Sequence, residues 1–499
     1  MNVVYGYCSL LFYTFISLTL VGFVTHSEKI MALAASGAGI TYGVRDYCDP
    51  RPHSLTVMSF YAGFGALWFG VSNYLGFVSE GTIFEDMFFD FEVRDFFFEA
   101  QLLATVALIL PLLTYDVIGQ TVGRKLSLSV PRIGFPLSDR MLLKVSIGFL
   151  FFAWVPLALE LRVAFLGMLA ALITIGSYIS IFTICNRWLT APAPSWPRWT
   201  RLLPFLLAVG EAGYFAVYGA ERARVAWPLV AVVIPYILHR RINLRRALVG
   251  VMLFLAFAFA FKQLAQTRRL LSGAERIEYT LDSSTREKEL IRAGALTEGD
   301  IADTSGVMRL MARLSTFNQL SQVHRLTEEE GFYEGETMGY VIYIFIPRAL
   351  WADKPLVVPG QWFAAKLGRG TRLEGGGFSN AINMTIPGEL YLNFGWPGVI
   401  IGMMFLTLIY FLFWEAADWE NISQNILGYA FAFSLLYQAV FNGSHFGGVV
   451  NLILWYLLFL AMTYIGITFI RPDELGKSKK TPFAPALTAP ARGFVKLNL

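Results

Sequence analysis

The sequence predicts an all-α protein, a polytopic membrane helix bundle of about twelve transmembrane helices. One large extracytoplasmic loop is expected between the ninth and tenth helices. Three observations predict this class. Of the 499 residues, 56% are hydrophobic and only 15% charged, whereas soluble domains carry about a quarter charged residues; mean hydropathy is +0.54. Apolar blocks long enough to span a bilayer follow one another along the chain. Lysines and arginines collect in alternate short loops, the pattern that fixes orientation in a membrane.

The candidate spans, in order, are Tyr5–Thr25, Lys29–Val44, Leu55–Val78, Phe97–Ile118, Leu142–Leu159, Arg162–Ile184, Arg201–Tyr218, Val225–Leu238 and Arg246–Gln266. After the large loop come Phe394–Trp414, Gln424–Asn442 and Gly448–Ile470. The first block lacks a basic start and a small-residue cleavage site, so it reads as a retained helix and not a signal peptide. Lys29–Val44 and Val225–Leu238 are short.

With twelve spans, the basic groups share one side: Arg45 and Arg51; Arg124, Lys125, Arg132 and Arg140; Arg187, Arg198 and Arg201; His239 to Arg246; and Arg471 to Lys480. That side is the cytoplasm, with both termini. The opposite side receives the acidic segment Glu80–Asp95, the short loop Gly219–Arg224 and the large loop. The chain accordingly divides into a membrane part over residues 1–266, a loop over 267–385, a three-helix membrane part over 386–471 and a disordered cytoplasmic tail over 472–499.

The loop is where polar chemistry concentrates. Thr267–Glu298 reads as charged, amphipathic helix. Met308–Leu326 carries apolar residues at helical spacing and packs on the bundle. Tyr340–Ile346 is too short to span and is stopped by Pro347. Gly368–Asn380 is glycine-rich and flexible. The three cysteines, Cys8, Cys48 and Cys185, all lie outside the loop and cannot form a complete disulfide set.

Several residues could carry chemistry. Arg222 and Arg224, in Glu221-Arg-Ala-Arg224, run against the positive-inside bias on the outer side. They read either as snorkelling anchors or as an anion site, for which the planar guanidinium suits pyrophosphate. Arg348 and Lys354 place two more cations near a membrane-adjacent turn. Glu389 is expected at the outer membrane surface before the tenth span, as a helix-dipole partner or a general base. His324 and His445 are the outward histidines, more often structural than catalytic; His324 is the second candidate base, because imidazole titrates near neutrality. No phosphate-binding loop, nucleophile elbow, metalloprotease signature or paired cysteine motif is present in the sequence, and no Asp-x-Asp pair stands in an outer loop, so neither a metal nor a cofactor is expected.

Gly335-x3-Gly339, Ile346-Pro-Arg-Ala-Leu-Trp-x-x-Lys-Pro355, Gly388-Glu-Leu-Tyr-Leu-Asn-Phe-Gly395 and Pro397-Gly398 together resemble the Wzy-type O-antigen and oligosaccharide repeat-unit polymerases. Gly219-Ala-Glu-Arg222 is similar to an outer-loop arginine motif of that family. An Arg-x10-Gly motif found in some members is missing from this loop. The resemblance implies a GT-C-like integral-membrane glycosyltransferase of the bacterial cytoplasmic membrane, working on its periplasmic side. Its substrates would be undecaprenyl-pyrophosphate-linked oligosaccharides, with membrane lipid around it, a chain-length regulator as a further partner, and no nucleic acid. Arg222, Arg224, Arg348 and Lys354 would then hold pyrophosphate as charge builds on the leaving group. Glu389 or His324 would take the acceptor proton, and Tyr391 and Asn393 would touch glycan. An O-antigen ligase-like enzyme shares this architecture, and a transporter or flippase is the non-enzymatic alternative.

Overall fold

In lipid every backbone N–H and C=O must find a partner inside the protein, so apolar runs wind into helices. The computed structural model describes residues 2–49, 55–80, 90–117, 130–135, 137–158, 167–190, 196–218, 222–239, 311–312, 314–344, 346, 351, 353–354, 359–369, 382–419, 425–437 and 446–469. Among these the regular structure is helical. The helices are α1 (Asn2–Val24), α2 (Glu28–Cys48), α3 (Val57–Gly65), α4 (Ser72–Val78), α5 (Phe97–Thr114), α6 (Asp139–Ala158), α7 (Gly167–Thr190), α8 (Leu203–Tyr218) and α9 (Arg222–Leu238). They continue as α10 (Phe317–Glu330), α11 (Tyr340–Tyr343), α12 (Pro359–Lys366), α13 (Ile386–Ala416), α14 (Ile426–Leu435) and α15 (Gly447–Phe469). Among the described residues, four helical stretches are long and apolar enough to cross a membrane: Val4–Val24, Glu92–Val117, Ile386–Ala416 and Gly447–Gly466. The expected span Arg246–Gln266, the segment Thr267–Glu298 and the C-terminal tail lie outside the described residues.

Where the helices depart from the expected spans, a side chain explains how the backbone is kept satisfied. Leu55–Val78 is not one regular helix: a wider π turn over Ala66–Val71 joins α3 to α4. There the Phe69 carbonyl accepts from Asn73 Nδ2 and Gln101 Nε2, both at 3.2 Å. Pro111 inside α5 has no N–H for the Ala107 carbonyl. The Tyr61 hydroxyl supplies the missing donor at 2.7 Å. Met308–Leu326 is interrupted before Phe317, because Ser315 turns into the bundle and donates to Asn73 Oδ1 at 2.8 Å. Asn73 Nδ2 in turn donates to Gln101 Oε1 at 2.9 Å, all three residues being buried. This chain of hydrogen bonds ties the segment before α10 to α4 and α5.

The helix α13 starts earlier than Phe394, where the sequence placed the tenth span. It begins at Ile386 and bends at Gly395, whose φ of 62° and ψ of −153° are non-helical; only glycine reaches that region without strain. The bend and Pro397 together strand two carbonyls. Tyr333 N–H donates to the Leu392 carbonyl at 3.1 Å and Glu334 N–H to that of Asn393 at 3.0 Å.

Charged contacts sort to the two ends of the bundle. At one end lie Arg45 with Asp116, Arg132 with Asp418 and Arg187 with Asp139. At the other, Lys29 and Arg94 meet Glu80, and Arg369 meets Asp90. The acidic segment and the loop therefore meet at one end, opposite Arg45, Arg132 and Arg187.

Candidate functional site

The first two turns of α13 gather the parts. Pro387 sits in the first turn, where its missing N–H costs nothing. Thr385 caps the helix, its hydroxyl accepting from Gly388 N–H at 3.2 Å. Thr385 itself holds φ at 66°, an uncommon conformation for a β-branched residue, and Asn383 Oδ1 steadies it by accepting from its N–H at 2.8 Å.

Glu389, expected at the outer surface, is instead fully buried at 0% exposure. Its Oε1 accepts from the Tyr340 hydroxyl at 2.9 Å and its Oε2 from the backbone N–H of Phe446 at 2.5 Å. The Tyr340 hydroxyl accepts in turn from Gly447 N–H at 2.8 Å. Burial, and then the charge of Glu389, hold the Tyr340 phenol well above its ordinary range, so it remains a donor at neutral pH.

Asn393 lies one turn further along the same face. Its Nδ2 donates to the Glu389 carbonyl at 2.7 Å and to Thr337 Oγ1 at 2.6 Å. Its Oδ1 accepts from Gly335 N–H at 3.1 Å. Gly335 is left-handed, φ 93°, which is why glycine stands there. The two motif halves, 335–340 and 388–395, are thus one hydrogen-bonded unit. Asn393 and Glu389 are brought together; the glycan contact expected of Asn393 is set against a side chain whose amide is engaged on both sides.

On another side of α13, Tyr391 meets His324 of α10. Their ring centroids lie 4.2 Å apart with the planes tilted by 47°, and Phe332 and Trp396 pack on Tyr391 edge-on at 5.9 and 5.6 Å. His324 is buried, with Nε2 unpartnered among the described residues. Burial depresses its pKa to about 4, against a smaller opposing effect from the Glu99 backbone. The imidazole is therefore neutral at pH 7. The unfolded chain takes up a proton near pH 6.5 that the folded one refuses until about 4. Stability from this group is complete above pH 6.5 and is lost as pH falls through that window, by about 3 kcal/mol at its foot. The thermal midpoint should drop between pH 7 and pH 4.5, and His324→Leu should flatten that drop; an unaltered slope would refute the assignment.

Of the four cations, Lys354 is described. Its Nζ donates to the carbonyls of Ile344 and Ile346 at 3.0 and 2.8 Å, closing the turn after α11. Arg222 and Arg224 lie in the first turn of α9 with side chains outside the described part, and Arg348 and His445 lie outside it altogether. A second node escaped the sequence reading. Buried Asp90, at the head of the segment entering α5, accepts from Arg369 and, at 3.1 Å, from Gln322 Nε2, while its N–H donates to Asn318 Oδ1 at 3.0 Å. Spacing gave no signal for it, since Asp90 and Arg369 are separated by 279 positions.

No family model, curated protein or solved structure matches the chain. The site stands on its own geometry. No cluster of three or more His, Cys, Asp or Glu able to hold a metal occurs among the described residues.

Proposed function

We propose that the chain is a membrane-embedded glycosyltransferase that polymerises lipid-linked oligosaccharide repeats. It would transfer a growing glycan from undecaprenyl pyrophosphate to the non-reducing end of a lipid-linked repeat unit, on the outer side of the bacterial cytoplasmic membrane. The observation that supports this reading is the union of the two motif halves around Glu389, at the end where the loop meets the bundle. The reading includes twelve spans, both termini in the cytoplasm and the large loop outside.

The chemistry asks for fixed positive charge where the pyrophosphate leaves. Arg222, Arg224 and Arg348 are the residues proposed for it, with Lys354 assisting by holding the turn beside Arg348. The acceptor side needs a group that receives a proton. His324 of α10, neutral at pH 7 with a buried Nε2 that has no partner among the described residues, and Glu389 of α13 are the two candidates. The Tyr391 ring offers a face for glycan.

The test is a gel of lipid-linked glycan from cells with and without this chain. Collapse of the polymer ladder to one repeat on the lipid acceptor is expected, and the same collapse at normal expression for Arg222→Ala and for Arg348→Ala. A ladder that persists on the undecaprenyl carrier but is missing from lipid A would replace this reading with a ligase. Repeats trapped on the cytoplasmic side would replace it with a flippase.

A second reading, transport, has one observation in its favour. Glu211 is buried in the middle of α8, hydrogen-bonded by Ser177 at 2.7 Å. Its Oε2 has no partner among the described residues. Ionisable groups at such depth commonly mark proton or substrate paths.

A further inference from the structure

We infer that Glu389 and Tyr340 are positioning residues that set where the last helix begins, and that Glu389 is not the group that takes the acceptor's proton. The second half of this statement rests on the glycosyltransferase reading; the first does not.

The first N–H groups of any helix point along its axis without partners in the helix. Usually a side chain just before the helix caps them. At α15 the caps come from far away in the chain. Phe446 N–H goes to Glu389, 57 positions earlier, and Gly447 N–H to Tyr340, 107 positions earlier. A carboxylate is the favoured partner there, because the helix dipole presents positive charge at its N-terminus. Tyr340 joins the two caps, accepting from Gly447 and donating to Glu389. Asn393 then ties the same turn of α13 to Thr337 and Gly335. Three stretches, 335–340, 386–393 and 446–447, are thereby fixed to one another through hydrogen bonds, those of Tyr340 being buried.

This arrangement leaves the carboxylate badly placed for proton abstraction. A general base must come within about 2.6–3.2 Å of the hydroxyl it deprotonates. Both oxygens of Glu389 are already engaged, and neither the residue nor Tyr340 beside it is open to solvent, at 0% and 5% exposure. Glu389 serves best as it stands, as a buried hydrogen-bond acceptor holding two segments and a helix end in register.

The test uses the full-length protein in lipid nanodiscs and two readouts. The first is amide hydrogen exchange over residues 446–452 for the wild type, Tyr340→Phe and Glu389→Gln. Tyr340→Phe, which removes the acceptor of Gly447 N–H, should speed exchange at the start of α15 about tenfold, the effect of one lost hydrogen bond. Glu389→Gln should speed it less, since its amide oxygen still accepts from Phe446, with residues 97–114 unchanged in both. Unchanged exchange in both variants would overturn the positioning role. The second readout is the pH dependence of polymer formation in membranes. A positioning role lowers the rate in both variants while the acid limb of the profile persists. Loss of that limb in Glu389→Gln alone would make Glu389 the base and overturn the inference. If wild-type membranes form no polymer, the glycosyltransferase reading falls, and the exchange result alone decides the positioning role.

Discussion

Glu389→Ala should leave the protein without a stable start to its last helix and abolish activity with it. The substitution strips the partner from the buried Tyr340 hydroxyl and from the half-buried Phe446 N–H. Each buried donor left unsatisfied costs about 1–3 kcal/mol, and the cavity left by the side chain adds to that. Glu389→Gln should be far milder, since the amide oxygen still accepts from Phe446. The measurement is the thermal midpoint of the detergent-solubilised protein by intrinsic fluorescence. Equal midpoints for Glu389→Ala and the wild type would mean that the carboxylate holds nothing together.

Arg45→Ala should cost a comparable amount of stability. Arg45 is buried at 6% exposure and forks onto Asp116, with Nη1–Oδ2 at 2.7 Å and Nη2–Oδ1 at 3.0 Å. Its Nε reaches Asp46 Oδ1 at 3.1 Å, and the guanidinium lies over the Tyr42 ring at 4.0 Å. Removing it strands two carboxylates that share one cation. Breaking a buried pair from one side costs about 3–5 kcal/mol. Arg45→Lys should recover only part, because an ammonium cannot make the fork. Replacing Asp116 by Asn in the Arg45→Ala background should restore some of the loss. Identical midpoints for the single and double variants would show that uncompensated charge is not the cause.

Helix class was legible because composition and apolar length bear directly on it. Breaks inside helices were partly legible: Pro111 and Pro397 announce lost donors, but which donor replaces them is decided by Tyr61 and Glu334, distant in sequence. The π turn at Ala66–Val71 left no mark, since its stabilising amides, Asn73 and Gln101, look like ordinary polar residues in apolar runs. For the site, the motif halves around Glu389, Tyr391 and Asn393 stood out by their glycines. Their joining did not, because it runs through Tyr340, which reads as one aromatic among many. The burial of Glu389 was missed for the same reason: its surface position was inferred from a span that begins at Phe394, whereas the helix starts at Ile386 and is covered by α15.

The break at Gly395 also works as a depth gauge. Drawn out straight, the 31 residues of α13 would measure about 46 Å at 1.5 Å per residue, well over the roughly 30 Å of a bilayer's hydrocarbon core. The portion from Trp396 to Ala416 matches that thickness by itself. Ile386–Phe394 is the surplus, set off from the lower rod at the glycine. A break there lets the lower rod tilt to suit bilayers of different thickness without carrying with it the upper segment, which Tyr333 and Glu334 tether.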